Sequence, residues 1–392
     1  MSKPADRAIA VIEPQMEGLF HAPFNAALLH AVMLAYPDSP ISFQGFPEHC
    51  RIVRQILEQN TSIPAERIDW RVVPVPHAKS LPARWLETRR SIRQAASSAD
   101  RVLFCSISRM QLLHLKNFLS ARPQLQVRAV LHGDLDRILS KSKESFPSSL
   151  FSLERVLQMS HPSGLRYLLL GESIRQYIPE QFQKALATSS AMDHPYHFPA
   201  IQSKDHRPFV FGIFGNTGDG RMLEQVARRV KEIDPSVKFR LIGFLSNREA
   251  VERLRPFVEG VTDRPISREN FIAQAQEITH SLWLASPNSF QLRASGTFFD
   301  ALAYGKPIVY TANPYIDFYF SLMPRIGYRC ESLEHVPDMI VSIVRTETQM
   351  AYSEAQVAMQ HLRDRFTPEQ LAKTLPAKIG WHELNSSREA QH

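Results

Sequence analysis

The sequence has few cysteines and lacks long hydrophobic runs. Its three cysteines, Cys50, Cys105 and Cys330, are too few and too scattered for a disulfide framework or a zinc ribbon. No run approaches the roughly 18 consecutive apolar residues of a membrane-spanning helix, and the first residues lack the apolar core of a signal peptide. We therefore expect a protein of a reducing compartment, the cytoplasm.

A strong charge of either sign is also missing. The sequence has 46 Lys and Arg against 39 Asp and Glu, a formal charge of +7, and 44% of its residues are apolar. This composition excludes disorder over most of the length. The basic residues are spread out, aromatic residues are not interleaved with them, and no groove-reading motif is present. The pattern disfavours nucleic acid as a partner and is compatible with nucleotides, phosphates or an acidic membrane surface.

Short apolar runs alternate with amphipathic stretches along the chain. In the first half, strands are predicted at 8–12, 41–44, 72–75, 102–105, 127–131 and 167–170, with helices at 22–36, 50–58 and 81–96. In the second half, strands are predicted at 209–214, 238–242, 281–285 and 307–310, with helices at 221–233, 267–278 and 296–304. Near-continuous apolar strands separated by helices are typical of parallel sheets covered on both faces.

The predicted fold is therefore α/β, with two doubly wound, Rossmann-like domains that face a cleft. The residues between the two halves are small, polar or proline-rich and lack periodicity, which predicts a linker. We expect the first domain at 1–184, the linker at 185–207, the second domain at 208–350, and C-terminal helices at 351–392 that pack back on the first domain.

A predicted helix start in the second half is suited to binding an anion. Ser295, Gly296 and Thr297 lie where a helix begins, so their backbone N–H groups have no partner within the helix. The helix dipole favours negative charge there, and Arg293 is placed to add a charge-assisted contact. The alternative is a plain Ser/Thr N-cap on a core helix.

A second loop of this kind follows the first strand of the second half. It contains Gly215, Asn216 and Thr217, and Arg221 opens the helix beyond it. A Gly-rich turn between strand and helix can wrap a phosphate with its amides. The loop lacks the Lys-Ser/Thr pair of a P-loop and the spacing of the dinucleotide fingerprint. It supports a phosphate site mainly because it is the second loop in this domain that is suited to binding an anion.

The first half offers candidates for proton transfer and hydroxyl binding. His132 follows a predicted strand directly, and Asp134 comes two residues later. A histidine at a strand end can transfer a proton or bind a hydroxyl group. The alternatives are a structural strand-end histidine and an aspartate in a turn. The first loop of this half contains Gly18 and His21, and Asn25 lies on the helix that follows.

Four segments carry a resemblance to a known family. They resemble the C-terminal half of GT-B glycosyltransferases, and are most similar to the large retaining group of glycogen synthase-like and lipopolysaccharide-type transferases. The segments are Phe257–Val261, Ile266–Phe271, Leu282–Pro287 and Asp300–Val309. The resemblance covers about residues 209–310, with weaker agreement at Gly18–Leu29.

The resemblance implies roles for the candidate residues. The family motif has two acids; the second matches Asp300, which is expected to hold the nucleotide ribose, and the first falls at Leu292. Ser295 to Thr297 are then expected to contact the donor diphosphate, with Arg221 and Arg293 as the neutralising cations. The first domain is expected to bind the acceptor through Gly18, His21 and Asn25.

The function expected from this resemblance is sugar transfer from a nucleotide-diphosphate donor to a glycan, a lipid-linked acceptor or another hydroxyl acceptor. Catalysis is expected at His132 and Asp134, without a cofactor and without a metal, since no His, Cys, Asp or Glu grouping has ligand spacing. Two alternatives stay open: a non-hydrolysing nucleotide-sugar epimerase and a catalytically silent GT-B scaffold. Peripheral membrane contact through Arg89, Arg90 and Arg93 is an alternative to a plain surface helix.

Overall fold

The structure, a computed structural model, describes two compact α/β units. The described residues are 8–77, 80–139, 151–201 and 207–381. The first unit takes in the chain up to His197, the short segment Leu292–Ala294 and the chain from Phe366 onward. The second unit is formed by Phe198–Gln291 and Ser295–Arg365. Among the described helices, none combines the length and the apolar character needed to cross a membrane.

The first unit is built on a parallel sheet. Its described strands are β1 (Ile9–Ile12), β2 (Ile41–Gly45), β3 (Ile68–Val72), β4 (Arg101–Phe104), β5 (Gln126–Leu131), β6 (Leu165–Leu170) and β7 (Ser190–Met192). Their order in the sheet is β3-β2-β1-β4-β5-β6-β7. The helices that accompany them are α1 (Ala22–Ala35), α2 (Pro47–Asn60), α3 (Leu81–Ala96), α4 (Arg109–Ser120), α5 (Leu153–Gln158), α6 (Glu172–Gln176) and α7 (Glu180–Gln183).

The second unit has a smaller parallel sheet. Its described strands are β8 (Val210–Asn216), β9 (Lys238–Phe244), β10 (His280–Trp283), β11 (Ile308–Thr311) and β12 (Gly327–Cys330), in the order β12-β11-β10-β8-β9. Its helices are α8 (Arg221–Ile233), α9 (Arg248–Leu254), α10 (Arg268–Glu277), α11 (Gly296–Ala303), α12 (Pro314–Leu322), α13 (Val336–Thr346) and α14 (Gln349–Arg363). Every residue of β1, β5 and β11 is buried, as expected for strands covered on both faces.

The last described helix, α15 (Pro368–Ile379), belongs to the first unit. It packs against α1, and the buried guanidinium of Arg128 on β5 donates to the carbonyls of Ile379 and Gly380. A cation at these carbonyls satisfies groups that the helix leaves without intrahelical partners.

Three strands differ from the sequence-based expectation. The segment predicted to be a linker contributes β7, a three-residue strand of Ser, Ala and Met without β-branched residues. Strand β3 ends at Val72, where the predicted strand began. Strand β12 was not predicted, because its sequence, Gly-Tyr-Arg-Cys, contains a glycine and an arginine and so has no apolar run.

In each sheet the strand order reverses beside the first strand of the unit. The reversal lies between β1 and β4 in the first unit and between β8 and β10 in the second. Ligands of open parallel sheets bind beyond the carboxyl ends of the strands at such a switch point. The loops after these four strands are therefore the places to look for function.

Gly243 on β9 has a φ of 155°, a conformation that residues other than glycine rarely adopt, and it generates a stability prediction. Gly215 and Gly243 are register partners, and a Cβ added to Gly243 would lie 2.0 Å from the carbonyl oxygen of Gly215. We expect Gly243→Ala to destabilise the protein by at least about 1–3 kcal/mol, the range for forcing an extra carbon into a packed site. The measurement is the midpoint of urea unfolding. Gly133→Ala is the control, because a Cβ there meets nothing within 4 Å; equal midpoints for the two variants would contradict the prediction.

Candidate functional site

In the second unit, the two predicted anion-binding segments lie side by side. Gly215 is the last but one residue of β8, and its φ of 82° is the left-handed conformation that glycine adopts without strain. A Cβ added to Gly215 would lie 2.7 Å from Cγ2 of Thr297, at the start of α11. The fold therefore brings together, at the switch point of the sheet, two segments that are 80 residues apart in the sequence.

The start of α11 has two amides that the helix cap does not use. Ser295 is the N-cap: its Oγ accepts from the amide of Phe298 at 3.4 Å, and its own amide donates to the hydroxyl of Tyr315 at 3.0 Å. No described residue accepts a hydrogen bond from the amides of Gly296 and Thr297. Gly296 is exposed, and a Cβ there would meet nothing within 4 Å. The fold thus leaves these two amides without a partner among the described residues and the position beside Gly296 open, while Ser295 is engaged in the cap.

The loop after β8 is organised by its own side chains. Asn216 Oδ1 accepts from the amide of Gly218 at 2.9 Å, which fixes the turn. Arg221 is 78% exposed and pairs with Asp219, with 2.9 Å between Nε and Oδ2. The Oγ1 atom of Thr217 is shielded from solvent and has no hydrogen-bond partner among the described residues. Thr217 is thus the loop side chain with an unused polar atom, whereas Asp219 already neutralises Arg221.

The chain just before Ser295 belongs to the first unit. Leu292 is completely buried in the core of that unit, and its amide donates to Asp136 Oδ1 at 2.9 Å. Arg293 Nε lies 2.9 Å from the other oxygen of the same carboxylate. The buried position explains why an acid is missing at Leu292, since a carboxylate there would be desolvated. The contact of Arg293 with a donor diphosphate stays a prediction.

Asp300 lies one turn along α11 from Gly296, on the same side of the helix. It is half-buried and lies near Tyr304, whose pKa is raised to about 12 by burial first and by Asp300 second. Arg268, at the start of α10, lies near the same tyrosine and acts in the opposite direction. The position is compatible with the predicted ribose contact, which stays a prediction.

The first unit holds a buried carboxylate that the sequence analysis missed. Glu13 directly follows β1 and is 0% exposed. It accepts hydrogen bonds from Ser106 Oγ at 2.5 Å, Asn25 Nδ2 at 3.1 Å, and the amides of Gln15 and Met16. Burial raises the pKa of Glu13, and these hydrogen bonds offset part of the rise. The signal for it was present in the sequence: an acid placed immediately after a wholly apolar strand.

Two histidine rings are stacked beside this carboxylate. His21 has a left-handed backbone (φ 58°) at the start of α1, and its ring lies 4.0 Å from that of His132, centroid to centroid. His21 Nδ1 is 3.9 Å from Glu13 Oε2. Burial lowers the pKa of His21 to about 4 and holds the pKa of His132 well below its ordinary value, with His21 and His194 adding to the shift at His132. Both rings are therefore neutral at pH 7.

His132 is partly exposed as a residue, yet its Nδ1 atom is shielded from solvent and has no hydrogen-bond partner among the described residues. The rings of Phe24 and His132 are nearly perpendicular, with their centroids 5.1 Å apart. His194, at the end of the first unit, completes the group at 6.2 Å from His132, and burial lowers the pKa of His194 to about 3. Asp134 lies in the short 3-10 helix after β5, but its side chain lies outside the described residues.

Two further predicted residues of the first unit, Asn25 and Gly18, form hydrogen bonds that position Glu13 and His49. Asn25 is completely buried; its Nδ2 lies 2.8 Å from His49 Nε2 in addition to its bond to Glu13. His49 Nδ1 lies 2.9 Å from the carbonyl oxygen of Gly18. Since an amide nitrogen can only donate, the His49 proton belongs on Nδ1. Asn25 and Gly18 therefore hold Glu13 and His49 in place, and the acceptor contacts expected of them stay a prediction.

Metal-ligating side chains are not grouped in the described part of the chain. No cluster of three or more His, Cys, Asp or Glu residues there could hold a metal ion. The three cysteines are buried with free thiols, and burial raises the pKa of Cys50 and Cys330 to about 11, so these two thiols are unreactive at neutral pH.

Comparison with solved structures identifies the fold. The chain is similar to HepE from Anabaena in complex with UDP and glucose, with a TM-score of 0.65 and 12% identity over 96% of this chain and 100% of that one. It is similar to sucrose-phosphate synthase from Thermosynechococcus elongatus, with a TM-score of 0.63 and 11% identity over 97% and 100%. A TarM variant from S. aureus, in complex with Fondaparinux, alpha-GlcNAc-glycerol and UDP, gives a TM-score of 0.61 and 10% identity over 95% and 99%.

These proteins are GT-B glycosyltransferases. No family model and no curated protein sequence matches the chain. At such identities the similarity shows the fold, and the predicted GT-B architecture with two Rossmann-like units is confirmed.

The buried histidines predict how stability depends on pH. In the unfolded chain they titrate near pH 6.5, whereas folding lowers the pKa of His21 to about 4 and of His194 to about 3. Between these values the unfolded state binds more protons, so the free energy of unfolding falls as the pH decreases from 6.5. Each histidine contributes up to about 1.4 kcal/mol per pH unit.

The measurement is urea unfolding between pH 7 and pH 4.5. His194→Gln should reduce the slope, whereas His361→Gln, at an exposed position of α14, should leave it unchanged. Glu13 acts in the opposite direction, because its raised pKa makes the folded state bind more protons, so the variants are compared with each other. An unchanged slope in His194→Gln would contradict the assignment.

Proposed function

We propose that the protein is a glycosyltransferase that moves a sugar from a nucleotide-diphosphate donor to a hydroxyl group of a glycan, lipid-linked or other acceptor. The observation that carries the proposal is the meeting of Gly215 and Thr297 at the switch point of the second unit, beside two unused amides. Structures of HepE and TarM, which share the fold, contain UDP.

The second unit is proposed to bind the donor. The diphosphate oxygens accept hydrogen bonds from the amides of Gly296 and Thr297, where the dipole of α11 also favours negative charge. The Thr217 hydroxyl supplies a further donor, and Asp300 accepts from the ribose hydroxyls. These fixed donors stabilise the negative charge that develops on the departing nucleoside diphosphate. We propose that they, rather than a metal ion, neutralise it.

The first unit is proposed to handle the acceptor proton. As the acceptor oxygen forms its bond to the sugar carbon, the bond from that carbon to the diphosphate oxygen breaks and the hydroxyl proton must leave. Burial keeps His21 and His132 neutral at pH 7, the state in which imidazole takes up a proton. Glu13, 3.9 Å from His21, would stabilise the imidazolium once it forms. Asp134 is kept as a second candidate next to His132.

Peripheral membrane attachment would use the arginines of α3. Arg89, Arg90 and Arg93 are exposed on α3, but the aromatic residue of its apolar stripe, Trp85, packs on His114 with ring centroids 4.2 Å apart. A surface helix that packs on its own unit accounts for this arrangement without a membrane.

Donor binding is tested with Gly296→Leu. Because a Cβ at this position meets nothing within 4 Å, and leucine favours a helix more than glycine does, the fold should tolerate the change. The new side chain would cover the two amides, so we expect the dissociation constant for UDP to rise at least about tenfold, a loss of about 1.4 kcal/mol. Isothermal titration calorimetry measures it, with ADP and GDP titrated in parallel.

The matched control for Gly296→Leu is Gly133→Leu, which also adds a side chain at a position with nothing within 4 Å, in the first unit. Unaltered nucleotide affinity in Gly296→Leu would exclude the start of α11 as the donor site.

The proton-transfer role is tested with His132→Ala. We expect turnover to fall at least about 100-fold, the low end for a positioned acid–base group. Transfer from a nucleotide sugar to an acceptor pool and thermal stability are measured on the same preparation. A structural histidine would lower stability and leave turnover per folded molecule unchanged; that result would remove His132 from the site.

The same assay separates the alternative functions. An epimerase converts the nucleotide sugar when no acceptor is present, and a silent scaffold binds it without turnover on any acceptor.

A further inference from the structure

A cavity of about 790 Å³ lies in the first unit beyond the carboxyl ends of its strands. It is lined by residues that follow β1, β2, β3, β4 and β5, together with residues of α3. Its volume falls within the roughly 300–1,000 Å³ of small-molecule sites. Three of its lining residues, Pro14, Gln15 and Glu17, lie in the loop after β1, and none of the residues expected to bind the acceptor lines it.

Three arginines from three different segments line this cavity: Arg84 on α3, Arg109 at the start of α4, and Arg137 after β5. Guanidinium groups bind carboxylate and phosphate in a bidentate manner. Arg109 is also the first residue of a twelve-residue helix, whose N-terminal dipole acts in the same direction. Three guanidinium groups along one cavity, together with the helix dipole, favour a ligand with an oxyanion group.

Two carboxylates, Glu17 and Glu87, line the same cavity. They would repel a polyanion and accept hydrogen bonds from hydroxyl groups. Phe46 and Pro76 add apolar surface against which the face of a sugar ring can pack. The lining as a whole therefore suits a hydroxyl-rich molecule that carries a single acidic group.

The cavity adjoins the buried carboxylate of the first unit. Gln15 lines it, and the side-chain amide of Gln15 lies 3.1 Å from Ser106 Oγ, which donates to Glu13. The cavity is thus linked through Gln15 to Glu13, the carboxylate proposed to stabilise the imidazolium of His21.

We infer that this cavity binds the acceptor, and that the acceptor is an anionic sugar: a sugar phosphate or a sugar acid. That the bound molecule is the acceptor rests on the proposed function. That it is an anionic sugar is argued from the cavity lining alone. The phosphate and the carboxylate present the same oxyanion chemistry to the arginines, and the experiment distinguishes them.

The experiment is calorimetric titration of the full chain, without donor, with glucose, glucose 6-phosphate and glucuronate. We expect at least one of the two acids to bind at least tenfold more tightly than glucose, and Arg84→Gln and Arg109→Gln each to weaken its binding by about tenfold or more, as for loss of a charge-assisted hydrogen bond. Arg51→Gln is the control, because Arg51 lies on α2, pairs with Glu48 and does not line the cavity.

Equal binding of glucose and both acids, no binding of any of the three, or no effect of the two arginine variants on acid binding would overturn the inference. Thermal stability of each variant is measured to confirm that it folds. These titrations contain no nucleotide, so a negative result here concerns only the cavity. The nucleotide titration of Gly296→Leu concerns only the proposed function.

Discussion

The burial of the Glu13 carboxylate constrains the loops at the carboxyl ends of the strands of the first unit. Removing Glu13 from water without partners would cost several kcal/mol, and four hydrogen-bond donors offset part of this cost. The donors come from the loop after β1, from α1 and from the loop after β4, so the strand ends at the switch point are held together. His21, left-handed and stacked on His132, is positioned by the same arrangement.

In the second unit, the candidate site is shaped by backbone groups and not by a buried charge. Neither Gly215 nor Gly243 has room for a side chain, because a Cβ on Gly243 would meet the backbone of Gly215, and a Cβ on Gly215 would meet Thr297. The first two amides of α11 have no partner among the described residues, while the Ser295 hydroxyl closes the cap. A site made of backbone donors suits a diphosphate, whose recognition needs charge and shape more than a particular side chain.

The sequence predicts the fold well where its signals are local. Apolar periodicity identifies α3 and α8 to the residue, and the loops at Gly215 and Gly296 are recognisable from small residues between a strand and a helix. Short strands such as β7 escape because three residues show no period. Glu13 and the cavity of the first unit escape for another reason: their partners lie far apart in the sequence, and single-sequence patterns carry no information on which strand ends become neighbours. For the same reason, the sequence does not show that Leu292 packs in the first unit.

The segment Leu292–Ala294 has a consequence for dissecting the protein. Residues 198–365 are contiguous in the sequence, yet they include three residues whose packing partners lie in the first unit. A fragment cut at those boundaries would present Leu292, fully buried in the intact chain, to solvent, and the first unit would retain an empty place in its core. Neither half is therefore a self-contained module, and a recombined chain that exchanges one unit for that of a relative must carry this tripeptide with the unit it packs in.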